Sequence, residues 1–434
     1  MKNNIVLHDF IRYSLLSVLG TLGVSLYILA DTFFVSSGLG TDGLAALNLA
    51  IPLYNVVYGC GLMFGMGGAT RYTILRAQSR EDDAAPLFTN VVAASALPAF
   101  LFVLCGLFLA VPISSLLGAE GHILVMTSTY LRWLLIFAPI YILNGIMLSF
   151  VRNDGQPRLT MAAQLMGNLV NIVLDYVFIF PMGMGMFGAI LATGFSPLVS
   201  IIIMSRHYLG PKCGFRLMKT PISADAVKKM ITLGFPSFVT EVSAGIIIIL
   251  FNTLILMISG STGVAAYGVV ANIALVITGV FSGLGQGVQP LFSRYSGSGE
   301  EEKMHATLRY ALVSGFAFSS IVYLMVFALA DPITSVFNSE GNALLQDIAA
   351  SGLRLYFTMM PFCCFNIVIG LYFTSSNRPA PAHAISLMRG FMLIVPISVA
   401  MALLFGMTGV WLAAPLTEVV CMLYGIFSMK MKRN

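Results

Sequence analysis

The side chains in this sequence that could do chemistry are acids placed where acids are scarce. Asp175 is the only charge in NLVNIVLDYVFIF, residues 168–180, and Asp31 stands in the apolar stretch ADTFFVSSGLG. A helix rises about 1.5 Å per residue, so Asp31, six residues before Ser37, and Asp175, six before Pro181, would each sit roughly 9 Å below the same membrane surface. Thr193 falls at a similar depth on a neighbouring helix and Tyr130 slightly deeper. Asn171 lies one turn from Asp175 on the same helical face. Five oxygen-bearing side chains from four helices would thus share one layer. An ionised carboxylate there costs roughly 2.5 to 3.5 kcal/mol on insertion scales. Either one acid keeps a proton, or a cation held by carboxylate, amide, hydroxyl and phenol oxygens neutralises the pair. The chemistry expected of Asp31, Tyr130, Asn171, Asp175 and Thr193 is therefore reversible binding of H⁺ or Na⁺, with Asp31, Asn171, Asp175 and Thr193 as the sodium ligands. Taken singly, Asn171 and Thr193 would only bond neighbouring helices, and Tyr130 would fit an aromatic belt. The constellation gives them a shared role.

The elements that must position these groups follow from composition. Of 434 residues, 58% are hydrophobic and 9% charged, and the mean hydropathy is +0.90. Soluble domains carry about a quarter charged residues, so this is an all-α polytopic membrane protein. Twelve stretches are long enough to cross a bilayer, near 8–36, 44–70, 87–112, 122–149, 158–180, 187–206, 229–258, 264–292, 307–331, 344–373, 380–404 and 409–428. The loops SGLGTDG, SLLGAEG, PMGMGM and SGSTG lack Lys and Arg. The alternate loops and both termini carry Lys2, Arg12, Arg71, Arg76, Arg80, Arg152, Arg158, Arg206, Lys212, Lys228, Lys229, Arg294, Lys303, Arg378, Lys430, Lys432 and Arg433 among others. That asymmetry predicts a cell-membrane protein with both termini cytoplasmic. The first apolar run is too long for a signal peptide and is read as the first span.

A shift of 220 to 222 positions superposes the two halves: Asp31 on Asn252, Arg132 on Arg354, Pro139 on Pro361, Asn144 on Asn366, and Gly59, Gly65 and Gly67 on Gly279, Gly285 and Gly287. A nearly constant shift across separate blocks indicates duplication. The expected architecture is two pseudo-symmetric six-helix bundles, 1–208 and 228–434, joined by a basic linker, 209–227. Parallel repeats of this kind typify secondary transporters, in which one half rocks against the other.

Other intramembrane charges are Glu241, one turn after the helix-bending Pro236, and Glu418. Arg389 could counter either acid. Arg132 and Arg354, at equivalent repeat positions, suit bracing or snorkelling. The six cysteines have no CxxC spacing and are read as core residues, and the five histidines are dispersed. No metal cofactor, nucleic-acid partner or enzymatic site is expected. The string GLGQG is a phosphate loop only superficially, since it lies in an apolar span and no Lys follows it.

ADTFFVSSGLGTDGLAALNLAIP, TYLRWLLIFAPIYIL, GNLVNIVLDYVFIFPMGMGMFGAILATG and GFPSFVTEVSAG together resemble the multidrug and toxic compound extrusion transporters over the whole chain. The resemblance implies an antiporter exporting small organic, often cationic and amphipathic compounds while Na⁺ or H⁺ flows inward. It places the family's amino-lobe cation site on Asp31, Tyr130, Asn171, Asp175 and Thr193, with Asp31 and Asp175 also meeting substrate, and the seventh-span glutamate of some members on Glu241. The tenth span, SGLRLYFTMMPFCCFNIVIGLYF, lacks the aspartate those members have, which favours the amino lobe. A monomer is expected. The alternative is a flippase for lipid-linked saccharides of the same superfamily, which would use the membrane arginines to bind pyrophosphate.

Overall fold

The computed structural model describes residues 2–338 and 341–431, with side chains from Ile5 onward. Lys432, Arg433 and the side chain of Lys2, which belong to the basic set above, lie outside this description. Helix dominates, and no strand occurs among the described residues. Eight helical runs are long and apolar enough to cross a membrane, and Gly121–Ile136 with Ala138–Asn153, bent by 51°, makes a ninth. Three of the eight fold back on themselves at a glycine: Lys2–Ala77 at Gly40, Ala224–Ser298 at Gly260, and Pro379–Lys430 at Gly406. Each of these three counts as two spans, so the chain crosses twelve times. Their φ values of 68°, 62° and 56° lie in the left-handed region that glycine occupies without a Cβ clash.

The backbone carries the duplication independently of composition. Positive φ recurs at Gly40 and Gly260, Ser79 and Gly299, Gly155 and Asn377, and Gly185 and Gly406, each pair at the offset read from the side chains. The fourth span breaks after Ile136, just ahead of Pro139, and the tenth passes through a 3-10 turn, Phe357–Met359, just ahead of Pro361. Proline removes a backbone donor and crowds the preceding turn, so the bend falls at the same place in both halves.

The bundles interlock at the end that carries both termini and the linker, called here the basic end. Val6, Phe10 and Tyr13 of the first span belong to the same buried cluster as Phe281, Phe292 and Tyr295 of the carboxy bundle. Met230 of the seventh span joins Phe88, Phe150 and Phe215 in the amino bundle. Small residues let these crossings close. A methyl at Gly234 would lie 1.8 Å from the Met63 carbonyl oxygen, and one at Gly287 2.7 Å from that of Tyr13. Around the outside, Leu403, Leu404, Phe316 and Leu324 are largely exposed, an apolar surface that lipid would cover.

The connection between the bundles is anchored to the amino bundle. Helix ends at Tyr208 and resumes at Ala224. Between them, Phe215 is 1% exposed and its ring lies 4.8 to 6.2 Å from those of Phe88, Phe150, Tyr208 and Tyr72. Beside it, Asp154 accepts hydrogen bonds from Arg76 and Tyr72 on Oδ1 and from His207 and the Gly214 N–H on Oδ2. Asp154, His207 and Cys213 are grouped closely enough to suggest a metal site. However, these four donors take up the lone pairs of the Asp154 carboxylate, and the cluster is an anchor for the linker. Phe215→Ala is expected to cost about 3 to 5 kcal/mol of stability, as for other buried Phe truncations, read as a lower unfolding temperature of the detergent-purified protein.

Candidate functional site

Each predicted site residue stands on a helix whose opposite face is fixed by packing. The fifth span, Pro157–Ile179, turns Gln164, Asn168, Asn171 and Asp175 inward at spacings of four, three and four, one continuous buried polar stripe. The first span lies against that stripe because it is glycine-poor only on its other faces: a methyl at Gly20 would meet Gln164, and one at Gly23 would meet Leu165 and Asn168. This brings Asp31 alongside Asp175. Thr193 faces them from the helix Gly185–Tyr208, and Tyr130 from Gly121–Ile136.

All five residues are buried: Asp175 and Asn171 at 0% exposure, Tyr130 at 3%, Thr193 at 4% and Asp31 at 7%. The Asn171 amide ties the site together. In the orientation that satisfies both its ends, Nδ2 donates to Asp175 Oδ2 at 3.2 Å and the oxygen accepts from the Thr193 N–H at 3.2 Å. The Thr193 hydroxyl donates to the Ala189 carbonyl at 2.9 Å, which leaves its own lone pairs free. Asp31 and Asp175 are close enough for one carboxyl to donate a hydrogen bond to the other. Even so, Asp31 Oδ1 and Asp175 Oδ1 are buried without any hydrogen-bond partner. A buried polar atom is costly to leave unpaired, and an unpaired carboxylate oxygen on each of two neighbouring acids is the chemistry a proton or a hard cation satisfies.

Sequence reasoning named Tyr130 but missed the other tyrosines that surround this pair. Tyr27, one turn before Asp31, hydrogen-bonds Tyr54 between hydroxyls at 2.9 Å. Tyr54 stacks on Tyr58 at 6.0 Å and meets Tyr141 edge-on at 6.0 Å. Tyr130 and Tyr141 both lie within electrostatic reach of Asp31 and Asp175, and the Tyr141 hydroxyl is buried and unpaired. The four-residue steps from Tyr27 to Asp31 and from Tyr54 to Tyr58 were the available signal.

The remaining charges separate. Glu241 is half-buried on the seventh span and faces the amino bundle, with its Cβ 3.2 Å from where a Gly59 Cβ would stand. It does not join the Asp31 site directly. Arg389 pairs with Glu418, not Glu241: Nε donates to both carboxylate oxygens at 2.9 Å and Nη2 to Oε1 at 2.7 Å. Asn366 Nδ2 completes the cluster by donating to Glu418 Oε2 at 2.6 Å. Arg389 sits in a π-helical turn, Met388–Met392. Such turns widen the helix locally and are frequent at special sites. Arg354 braces a helix end by donating to Asp331 at 2.6 Å, whereas Arg132 is exposed on the surface. Arg152, assigned to a loop from its place in the sequence, is only 2% exposed.

Comparison with known proteins adds a second line of observation. The MatE family profile matches residues 17–177 and 236–414, one segment in each bundle. The multidrug export protein MepA of Staphylococcus saprophyticus is 23% identical over 99% of this chain and 94% of its own. MepA of Staphylococcus aureus is 24% identical over the same shares. Among solved structures, a MATE protein in complex with MaL6 superposes with a TM-score of 0.91 at 22% identity, covering 98% of this chain and 95% of that one. An outward-facing multidrug resistance MATE family transporter of the MOP superfamily gives 0.87 at 22% identity over the same shares.

Proposed function

Given that this chain belongs to the MatE family, the multidrug and toxic compound extrusion transporters, we propose that it exports small organic, often cationic and amphipathic compounds in exchange for Na⁺ or H⁺ by alternating access. The observation that carries this reading is the pair of buried, unpartnered carboxylate oxygens on Asp31 and Asp175. Carboxylates held so close favour one bound positive charge at a time. An inorganic cation or proton on the pair and an organic cation drawn to it therefore compete, which is negative linkage between coupling ion and substrate. The tyrosines around the pair supply π faces that attract an organic cation. The basic end faces the cytoplasm in this reading, in line with the positive-inside asymmetry.

The cycle runs as follows. From the far side, an ion reaches Asp31 and Asp175, neutralises them and releases the organic cation. The loaded bundle then turns toward the cytoplasm, where the ion leaves and the next substrate binds. One elementary charge crossing 100 mV supplies about 2.3 kcal/mol, and each tenfold ion gradient about 1.4. MepA relatives are named for multidrug export, which supports a broad substrate range here. The flippase alternative is less well supported, because the three arginines it would use are otherwise placed: Arg389 is taken up by Glu418, Arg354 is held at a helix end and Arg132 lies on the outer surface.

The test is efflux of ethidium from proteoliposomes holding the purified protein, with an imposed Na⁺ gradient and, separately, a proton gradient. Transport under one of the two names the coupling ion. A folded protein that moves ethidium under neither gradient overturns the reading.

A further inference from the structure

Where the bundles touch at the basic end, polar side chains from three helices form one hydrogen-bonded cluster across the boundary. Gln289 of the eighth span is completely buried. Its Nε2 donates to Thr70 Oγ1 at 2.7 Å and to Ser293 Oγ at 3.0 Å, and its Oε1 accepts from Asn153 Nδ2 at 2.9 Å. Asn153 Oδ1 in turn accepts from Thr73 Oγ1 at 2.8 Å, and the neighbouring Arg152 Nη1 donates to Gln286 Oε1 at 3.0 Å. Thr70, Thr73, Arg152 and Asn153 belong to the amino bundle; Gln286, Gln289 and Ser293 belong to the carboxy bundle. Among the described residues, the one ion pair across the boundary, Asp9 with Arg294 at 3.6 Å, lies at the same end. Among the described residues, no side-chain hydrogen bond or ion pair joins the bundles at the far end.

We infer that Gln289, with Gln286 beside it, is the latch that holds the basic end shut and so sets the balance between the two access states. The inference rests on the alternating-access reading above and names the residues that regulate it. Amides suit this role for a physical reason. Parting the bundles exchanges each of these hydrogen bonds for one to water, and such exchanges are individually small. The closed state is therefore held firmly yet remains within reach of the open one. Arg152 leans the same way: it is buried and, among the described residues, pairs with Gln286 and with no carboxylate, so opening hydrates a cation that closure keeps dry. Gln289 does not reach Asp31 or Asp175. It is a positioning residue, acting on the equilibrium and not on the bound ion.

Spin labels at Asp82→Cys and Glu302→Cys, exposed positions on opposite bundles at the basic end, report its opening by double electron–electron resonance in lipid nanodiscs. Cys105 and Cys213, the partly exposed native cysteines, are replaced by serine for labelling. The wild type is expected to populate mainly the short distance and to shift when ethidium or the coupling ion is added. Gln289→Leu strands Thr70, Ser293 and Asn153 in the closed state but leaves them hydrated in the open one, so the long-distance fraction should rise about tenfold. Thr70→Val, which keeps the shape and removes one partner, should move it the same way by a smaller factor, and Thr70→Ser should restore the wild-type distribution. A packing fault alone would lower the unfolding temperature without moving the distances. If the wild type responds to ligands while Gln289→Leu and Thr70→Val both leave the distribution unmoved, the latch is overturned and alternating access stands. If the wild type itself never leaves the short distance while it transports ethidium, the alternating-access reading falls as well.

Discussion

Asp175→Asn is expected to reduce gradient-driven ethidium efflux to the level of protein-free vesicles while leaving the folded protein intact. Asparagine keeps the shape of the side chain and can still meet Asn171, so little packing is lost at this fully buried position. What disappears is the negative charge. Without it the pair cannot hold a cation, and an isolated Asp31 loses the neighbour with which it shares one proton or ion. Asp31→Asn should act the same way, and the double substitution should be no worse than either alone, because the two carboxyls form one site. Asn171→Ala is expected to weaken transport less, by raising the ion concentration needed for half-maximal rate, since it removes an amide ligand and leaves both acids. Retention of full gradient-driven efflux by Asp31→Asn and by Asp175→Asn would overturn the assignment of the coupling site. Efflux that persists under one gradient only would instead separate proton from sodium use.

The two buried acids, Asp31 and Asp175, stood out in the sequence because a carboxylate inside the hydrocarbon is too expensive to be accidental. The span count was legible for a similar reason, and the repeat was confirmed by backbone angles that composition does not control: glycine-rich helices align by chance, but Ser79 and Gly299 do not share a left-handed φ by chance. Arg152 was misplaced because its neighbours Asn153, Asp154 and Gly155 read as a turn in water, whereas the other bundle covers it. The tyrosines could not be told from an interfacial belt, since depth along a helix does not say which way a ring faces. GLGQG read only as a superficial likeness to a phosphate loop. In the folded chain its glycine Gly287 lets the first span approach, and its glutamine Gln286, with Gln289 just beyond, reaches across to the opposite bundle. Pairing across helices is the part of the fold that sequence spacing leaves open, and it decides what every charge outside the Asp31 and Asp175 pair touches.

The charge pair settled in this way carries an expected effect on stability as large as the truncation of Phe215. Arg389→Met leaves the Glu418 carboxylate in the core of the carboxy bundle with only Asn366 to bond it, and Glu418→Gln leaves the guanidinium equally uncompensated. Removing one member of a buried pair costs roughly 3 to 5 kcal/mol, mostly as the penalty of the charge left behind. Each single variant should therefore unfold well below the wild type when heated in detergent. Replacing both, Arg389→Met with Glu418→Met, removes both charges at similar volume and should recover most of that loss. The transport assay then distinguishes two uses of the pair. A double variant that regains both stability and ethidium efflux shows a pair that fastens the eleventh span to the twelfth. One that regains stability but not efflux shows that the π-helical turn at Met388–Met392 and its charge take part in the movement of the carboxy bundle. Single variants as stable as the wild type would mean that water reaches the pair and that its burial in the resting fold overstates its isolation.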